Sequence, residues 1–131
     1  MKRRLTTVFV GVTAMFAAGL CGCASQAGPT LAGGKPVSYW VKALEDSDAR
    51  VRKKAVDKLG NVGNADPQAF PAVLTALKDK DAAVREAAVV ALPKFGDRAR
   101  ESLTALAEVE ADDPDDGVRA KAAATVQSIK K

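Results

Sequence analysis

Hydrophobic and polar positions recur along this chain at a regular interval. A Val-Arg pair occurs three times, at Val51-Arg52, Val84-Arg85 and Val118-Arg119. Each pair begins a run of apolar residues at steps of four, which is the period of one face of an α-helix. The three runs are Val51, Ala55 and Leu59; Val84, Ala88 and Leu92; and Val118, Ala122 and Val126. A nearly fixed period of about 33 residues predicts stacked helical repeats.

Each copy also has a short acidic turn and, before the turn, a second apolar segment. Two Asp stand six and four residues before the Arg in every copy. The second Asp can cap the following helix by accepting hydrogen bonds from its free N–H groups. The upstream segments predict a further helix in each copy, and Pro71 is expected to kink the second of these. They contain Val37, Trp40, Val41 and Leu44; Phe70, Val73, Leu74 and Leu77; and, matching less well, Leu103, Leu106 and Val109.

The pattern Leu-x-Asp-x-Asp-x-x-Val-Arg-x-x-Ala-x-x-x-Leu resembles the HEAT repeat, in the short form also found in HEAT-like lyase subunits. The resemblance covers residues 36–131 and implies an all-α fold. We expect a short right-handed α-solenoid of three helix–turn–helix repeats, at about 36–64, 67–96 and 97–131. In that family the turn Asp and the helix Arg form a structural ladder between neighbouring repeats. By resemblance, the ladder residues are Asp46, Arg52, Asp79, Arg85, Asp113 and Arg119.

The segment at residues 1–22 predicts a lipoprotein signal peptide. A basic start precedes an uncharged run from Leu5 to Leu20. That run is short for a membrane span, which needs about 20 apolar residues, and is typical of a signal peptide. The segment Leu20-Cys21-Gly22-Cys23 then resembles the lipobox of bacterial lipoproteins. We expect cleavage before Cys23 and lipid on Cys23; an uncleaved N-terminal anchor is the alternative.

Residues 23–35 are small, rich in glycine and nearly uncharged, so they predict a flexible linker between the anchor and the helical domain at residues 36–131. The twelve residues that follow Cys23, 24–35, reach roughly 20 Å. The expected location is the bacterial cell envelope. Ala24 follows the lipid acceptor, which resembles sorting to an outer membrane facing the periplasm.

Composition excludes several kinds of chemistry. The net charge is +4, but removal of the signal peptide leaves 17 basic and 16 acidic residues, which argues against nucleic-acid binding. The chain contains no His, so imidazole catalysis and His-dependent metal sites are excluded. The acidic turn near Asp113 lacks the spacing of a calcium loop. We therefore expect no catalytic residue, no metal and no cofactor.

Under the HEAT resemblance, the second helices line the inner face of the stack. Its floor is small or apolar and its first repeat is basic, which suits an extended peptide or a partner helix. The candidate partner-binding residues are Arg50, Lys53, Lys54 and Lys121. Lys54, together with Lys58 on the same face of its helix, would also serve as a polar cap on a terminal repeat. We expect a lipid-anchored, non-catalytic interaction or scaffold module with a protein partner. The alternatives are a HEAT-like lyase or chaperone-lyase subunit and an envelope ligand-binding protein.

Overall fold

The computed structural model describes residues 29–131. The predicted signal peptide and Cys23 lie outside the described residues, so lipid on Cys23 stays a prediction. A small hairpin comes first and six α-helices follow it within this range. The elements are β1 (Leu31–Ala32), β2 (Lys35–Pro36), α1 (Val37–Ala43), α2 (Ala49–Val62), α3 (Ala69–Ala76), α4 (Ala82–Ala91), α5 (Leu103–Asp112) and α6 (Asp116–Lys130).

The six helices form three antiparallel pairs that stack side by side. Each repeat consists of a first helix (α1, α3 or α5) packed on a second helix (α2, α4 or α6), and α4 packs between α2 and α6. The predicted apolar runs face this core, and of their nine residues only Val51 is half-exposed. The largest fully buried side chains are Leu59, Phe70, Leu92, Phe95 and Leu106. The expected all-helical stack of three helix–turn–helix repeats is confirmed.

Each second helix begins at an aspartate cap, as the sequence predicts. Asp48, Asp81 and Asp115 have extended backbone angles, and their side chains accept hydrogen bonds from the first free N–H groups of α2, α4 and α6. A cap of this kind typically stabilises a helix by about 1 kcal/mol. The second Asp of each acidic turn therefore fixes where the second helix starts.

The two prolines of the second repeat have different effects on its helices. Pro93 has no N–H to donate, so α4 ends at Ala91, and two short 3-10 turns separated by a kink at Gly96 follow within Leu92–Ser102. Phe95 of this segment is buried against Phe70, with ring centroids 5.2 Å apart in an edge-to-face arrangement. Pro71 does not kink α3, contrary to expectation. It lies in the first turn of a helix that begins at Ala69, where a missing N–H leaves no bond unmade.

The structure differs from the predicted linker at residues 31–35. These residues form an antiparallel hairpin in which Gly33 and Gly34 have φ angles of 56° and 79°. Positive φ at both central positions is what the tight type I′ turn requires. The indole Nε1–H of Trp40 donates to the Ala32 carbonyl at 2.7 Å, and Ala32 is buried. The hairpin therefore belongs to the folded domain, and the predicted linker can extend only to residue 30.

Repeats 1 and 2 are in close contact where Gly60 of α2 meets Ala91 of α4. A Cβ atom added to Gly60 would lie 2.8 Å from the Cβ of Ala91, closer than two carbon atoms can pack. The absence of a side chain at Gly60 therefore allows the second helices to touch at this point.

We expect Gly60→Ala to lower the free energy of unfolding by about 1 kcal/mol, measured by urea unfolding, because overpacking here typically costs about 1–3 kcal/mol. Alanine favours a helix interior over glycine by about 1 kcal/mol, which offsets part of that cost. Ala91→Gly supplies the control, because it removes the opposing methyl group. In that background Gly60→Ala should become neutral or stabilising. A stabilising effect of Gly60→Ala in both backgrounds would contradict the proposed close contact.

Candidate interaction surface

Two buried ion pairs join the three repeats. Arg52 of α2 donates from Nε and Nη2 to the two carboxylate oxygens of Asp79 in the next turn, at 2.8 and 3.0 Å. Arg85 of α4 makes the same two bonds to Asp113, at 2.8 and 3.0 Å. Only 4% of Arg52 and 8% of Arg85 are exposed. Each pair, called here a rung, is a two-point contact between planar groups, which fixes orientation as well as distance.

The remaining bonds of these groups tie each arginine to the turn of its own repeat. Nη1 of Arg52 donates to the carbonyl of Asp46 at 2.8 Å, and Nη1 of Arg85 donates to the carbonyl of Asp79 at 2.9 Å. The carboxylates of Asp79 and Asp113 also accept the backbone N–H two residues further on, at 2.9 Å in each case. One arginine therefore connects its own turn, its helix and the following turn.

The two outer members of the predicted ladder have no partner in another repeat within residues 29–131. Asp46 is exposed, and its carboxylate accepts the N–H of Asp48 at 2.8 Å. Arg119 donates to the carbonyl of Asp113, and its guanidinium pairs with Asp116 of the same helix. Four of the six predicted ladder residues thus form the two rungs, and the other two have only local contacts in the described part of the chain.

The exposed side of the three second helices forms a continuous surface, called here the second-helix face. Its residues are Arg50, Lys53 and Asp57 of α2; Ala83, Glu86 and Val90 of α4; and Gly117, Ala120, Lys121 and Ala124 of α6. Lys121 of α6 pairs with Glu86 of α4 and so bridges two helices across this face. Val90 is 49% exposed, which is unusual for a large aliphatic side chain on a helix that is otherwise well buried.

The family model for HEAT repeats matches residues 37–127, which include both rungs and nearly all of the six helices. The chain belongs to the HEAT repeat family. HEAT repeat domains are generally scaffolds for protein interaction and are typically non-catalytic. No curated protein matches the chain.

Among the described residues of this HEAT domain, no group of three or more acidic or cysteine side chains is arranged to hold a metal ion. A cleft of about 440 Å³ lies between α3 and α5, with apolar walls that include Leu74, Leu77 and Val109. Arg85 and Asp113 reach it, but they already bond to each other and to backbone groups. No helix within residues 29–131 is long and apolar enough to cross a membrane.

The four basic residues predicted to bind a partner do not act as one free cluster. Arg50 pairs with Asp48 at 3.0 Å, Lys53 lies 3.8 Å from Asp57, and Lys121 pairs with Glu86. Lys54 is exposed at the N-terminal end of the stack, because its counterpart in repeat 2 is the residue that packs against repeat 1. The acidic neighbours offset much of the positive charge that the sequence suggests.

Val90 was not among the predicted binding residues, although it lies on α4, the middle helix of the second-helix face. It belongs to α4, in which most neighbouring positions are apolar and buried, so hydrophobicity alone does not mark it as exposed. Alignment of the repeats could have identified Val90 as exposed, because it occupies the position in α4 that the charged Asp57 occupies in α2.

The rungs also lower the pKa values of their two carboxylates in the folded protein. Burial by itself would raise the pKa of Asp79 and Asp113, since it penalises the charged form. Hydrogen bonds from Arg52 and Arg85, together with backbone N–H groups, outweigh burial and hold both pKa values below the usual range. Such groups add stability that is complete above the unfolded pKa and is lost as pH falls through the folded pKa. Acid should therefore weaken the contacts between repeats.

We expect Asp113→Ala to reduce the free energy of unfolding by about 3–5 kcal/mol, because it leaves the buried guanidinium of Arg85 without its carboxylate. Asp46→Ala is the matched control, since Asp46 occupies the same position of repeat 1 and pairs with no arginine side chain within residues 29–131. It should reduce stability by about 1 kcal/mol or less, the value of one exposed hydrogen bond. Urea unfolding at neutral pH measures both. Equal losses for the two variants would show that the rung does not stabilise the stack.

Proposed function

We propose that this HEAT repeat protein is a non-catalytic interaction module held at a membrane of the bacterial cell envelope by lipid on Cys23. The observation that carries the interaction half of the proposal is the exposure of Val90 on α4, the middle helix of the second-helix face. The anchor half is supported by the sequence Leu20-Cys21-Gly22-Cys23 and by the short apolar run before it.

The second-helix face suits a protein segment that crosses all three second helices. Ala124, at the equivalent position of α6, is small and exposed, so a partner backbone or helix can approach Val90 closely from that side, whereas the charged Glu86 and Asp57 lie on its other sides. Burial of a valine side chain stabilises a complex by about 1.5–3 kcal/mol when it is complete. Val90 is already half-buried and can contribute about half of that range.

Charged residues at the edges of this face set orientation more than affinity. Arg50, Lys53 and Lys121 are exposed and paired with neighbouring carboxylates, and exposed pairs each contribute about 0–1 kcal/mol. A partner can exchange such pairs at little cost. We infer an extended peptide or an amphipathic helix that places one apolar residue against Val90 and carries polar residues on either side.

The anchor is expected to keep this interaction close to a membrane surface. Lipid on Cys23 would leave the folded domain outside the bilayer. Ala24 after the lipid acceptor is consistent with an outer membrane and a domain that faces the periplasm.

Cys23→Ala should abolish labelling of the protein by a metabolic fatty-acid probe, whereas Cys21→Ala should leave labelling intact. The reason is that only the residue after the cleavage point becomes the lipid acceptor. In-gel detection of the probe in whole cells measures both variants. Undiminished labelling of Cys23→Ala would rule out the lipoprotein interpretation.

Val90→Glu should reduce photo-crosslinking from Ala83 to a membrane-associated protein by about tenfold, the effect of about 1.4 kcal/mol in affinity. The new charge would have to be buried against an apolar partner residue. Ala107→Glu is the control, because Ala107 is exposed on α5, a first helix. Both variants should keep the melting temperature of the unmodified protein. If Ala107→Glu has the larger effect, the partner binds the side formed by the first helices.

A further inference from the structure

The N-terminal end of the stack is not built like the contact between repeats 1 and 2. In repeat 2, Ala87 and Ala91 are buried, with 7% and 2% of each residue exposed, and Ala91 faces Gly60 of repeat 1. Lys54 and Lys58 occupy the equivalent positions of repeat 1. They therefore face the N-terminal end of the stack, where Lys54 is exposed and Lys58 is half-buried. Two lysines thus stand where the next repeat has two alanines.

The hairpin covers only part of this end and adds apolar surface to it. The backbone of Gly33 lies beside the side chain of Lys58, so the hairpin shields that lysine. Along β1, Ala32 points inward and is buried, whereas Leu31 points outward with 61% of its surface exposed. The hairpin therefore presents a large aliphatic side chain to the outside at the end of the stack.

Tyr39 adds an aromatic group beside the hairpin. It is 48% exposed, although the next residue, Trp40, is buried, and the two rings meet edge to face at 5.0 Å. The ammonium group of Lys35 in β2 lies 5.0 Å from the centroid of the Tyr39 ring. Lys42 lines the same shallow depression as Tyr39.

These residues define the N-terminal end face: Leu31, Lys35, Tyr39, Lys42, Lys54 and Lys58. Two of the three large hydrophobic side chains exposed in the described residues are here. Four lysines stand against Glu45 and Asp46 at one edge. Lysines with long apolar stems, a tyrosine and an exposed leucine are the groups that favour the boundary between lipid headgroups and acyl chains.

The length of chain before the hairpin also places this end near the anchor. The N–H of Val37 donates to the carbonyl of Thr30 at 3.0 Å, so the fixed part of the chain begins at about residue 30. Thr30 is seven positions after Cys23. Even fully extended, this segment spans at most about 25 Å, and adjacent helices in the stack lie about 8–10 Å apart. The N-terminal end face is thus the part of the domain that the predicted anchor holds closest to the bilayer.

We propose that the N-terminal end face lies against anionic phospholipid headgroups, with Leu31 and Tyr39 at the edge of the acyl region. This inference rests on the proposed anchor at Cys23. The lysines supply charge complementarity to phosphate, and the apolar pair supplies burial. In this arrangement the stack stands away from the membrane, and the second-helix face stays open to a partner.

The test is lysine acetylation of the natural lipoprotein, purified from membranes and reconstituted into vesicles. One vesicle type contains phosphatidylcholine alone and the other an equal mixture with phosphatidylglycerol. Mass spectrometry then gives the acetylation rate of each lysine. Lys35, Lys42 and Lys54 should react several-fold more slowly on the anionic vesicles, whereas the exposed Lys80 and Lys130 should react equally on both. Equal rates for all five lysines on both vesicle types would overturn the proposal.

A pair of substitutions tests whether the lysines are protected by contact of the end face with headgroups or only because the anchor holds the domain near the membrane. Leu31→Asp combined with Tyr39→Asp should restore the acetylation rates of Lys35 and Lys42, because both apolar contacts are lost. Val90→Asp, on the second-helix face, should leave the protection unchanged. Protection that is the same on both vesicle types, or that survives the double substitution, would show that anionic lipid does not bind this face.

Flotation of the same samples distinguishes failure of this inference from failure of the anchor. If the protein floats with both vesicle types and its lysines are unprotected, the anchor is supported and the end-face inference is wrong. If it floats with neither, both are wrong. If Cys23→Ala floats with anionic vesicles only, and adding Leu31→Asp and Tyr39→Asp abolishes that flotation, the end face binds lipid by itself and the inference is supported without the anchor. If the added substitutions leave the flotation unchanged, the basic N-terminal segment binds the vesicles and the end-face inference is wrong.

Discussion

Stacking of the three repeats depends on two buried arginines, each of which forms an ion pair with a carboxylate in the acidic turn of the next repeat. A guanidinium group is charged at every physiological pH, so burial of Arg52 and Arg85 requires a hydrogen-bond partner for each of their nitrogens. The carboxylates of Asp79 and Asp113 accept from Nε and Nη2, and backbone carbonyls accept from Nη1. Replacement of such pairs by apolar residues is often neutral for stability, so their main effect is to allow one register between repeats.

The same acidic turn determines local structure and tertiary structure together. In the second repeat, Asp79 binds Arg52 of the first repeat and the N–H of Asp81, and Asp81 caps α4. An error in the position of this turn would disrupt the cap and the rung at once. This coupling explains why two aspartates before Val-Arg predict so much of the fold. One short motif marks both the start of a helix and a contact with another repeat.

The sequence predicted those parts of the fold that repeat, and it missed those that occur once. The apolar runs, the caps and the acidic turns recur, and the structure contains all of them where expected. The hairpin has strands of two residues, too short for an alternating pattern, and its docking depends on one bond from Trp40. The pairing of Lys121 with Glu86 joins residues on different helices that are far apart in the chain, so composition suggested a free positive charge. The HEAT resemblance predicted an inner face with a small or apolar floor, but only the structure shows that Val90 on this floor is 49% exposed.

The rungs also give the stack a direction, since each arginine reaches towards the repeat that follows it. Each repeat unit therefore supplies one arginine for an ion pair with the following repeat and one aspartate for an ion pair with the preceding repeat. Duplication of one whole repeat inside the stack would add a complete rung and would leave no buried charge unpaired. An insertion of any other length in α2 or α4 would separate an arginine from its carboxylate. The geometry of two ion pairs thus favours growth of such a protein by duplication of entire repeats, and opposes gradual lengthening of its second helices.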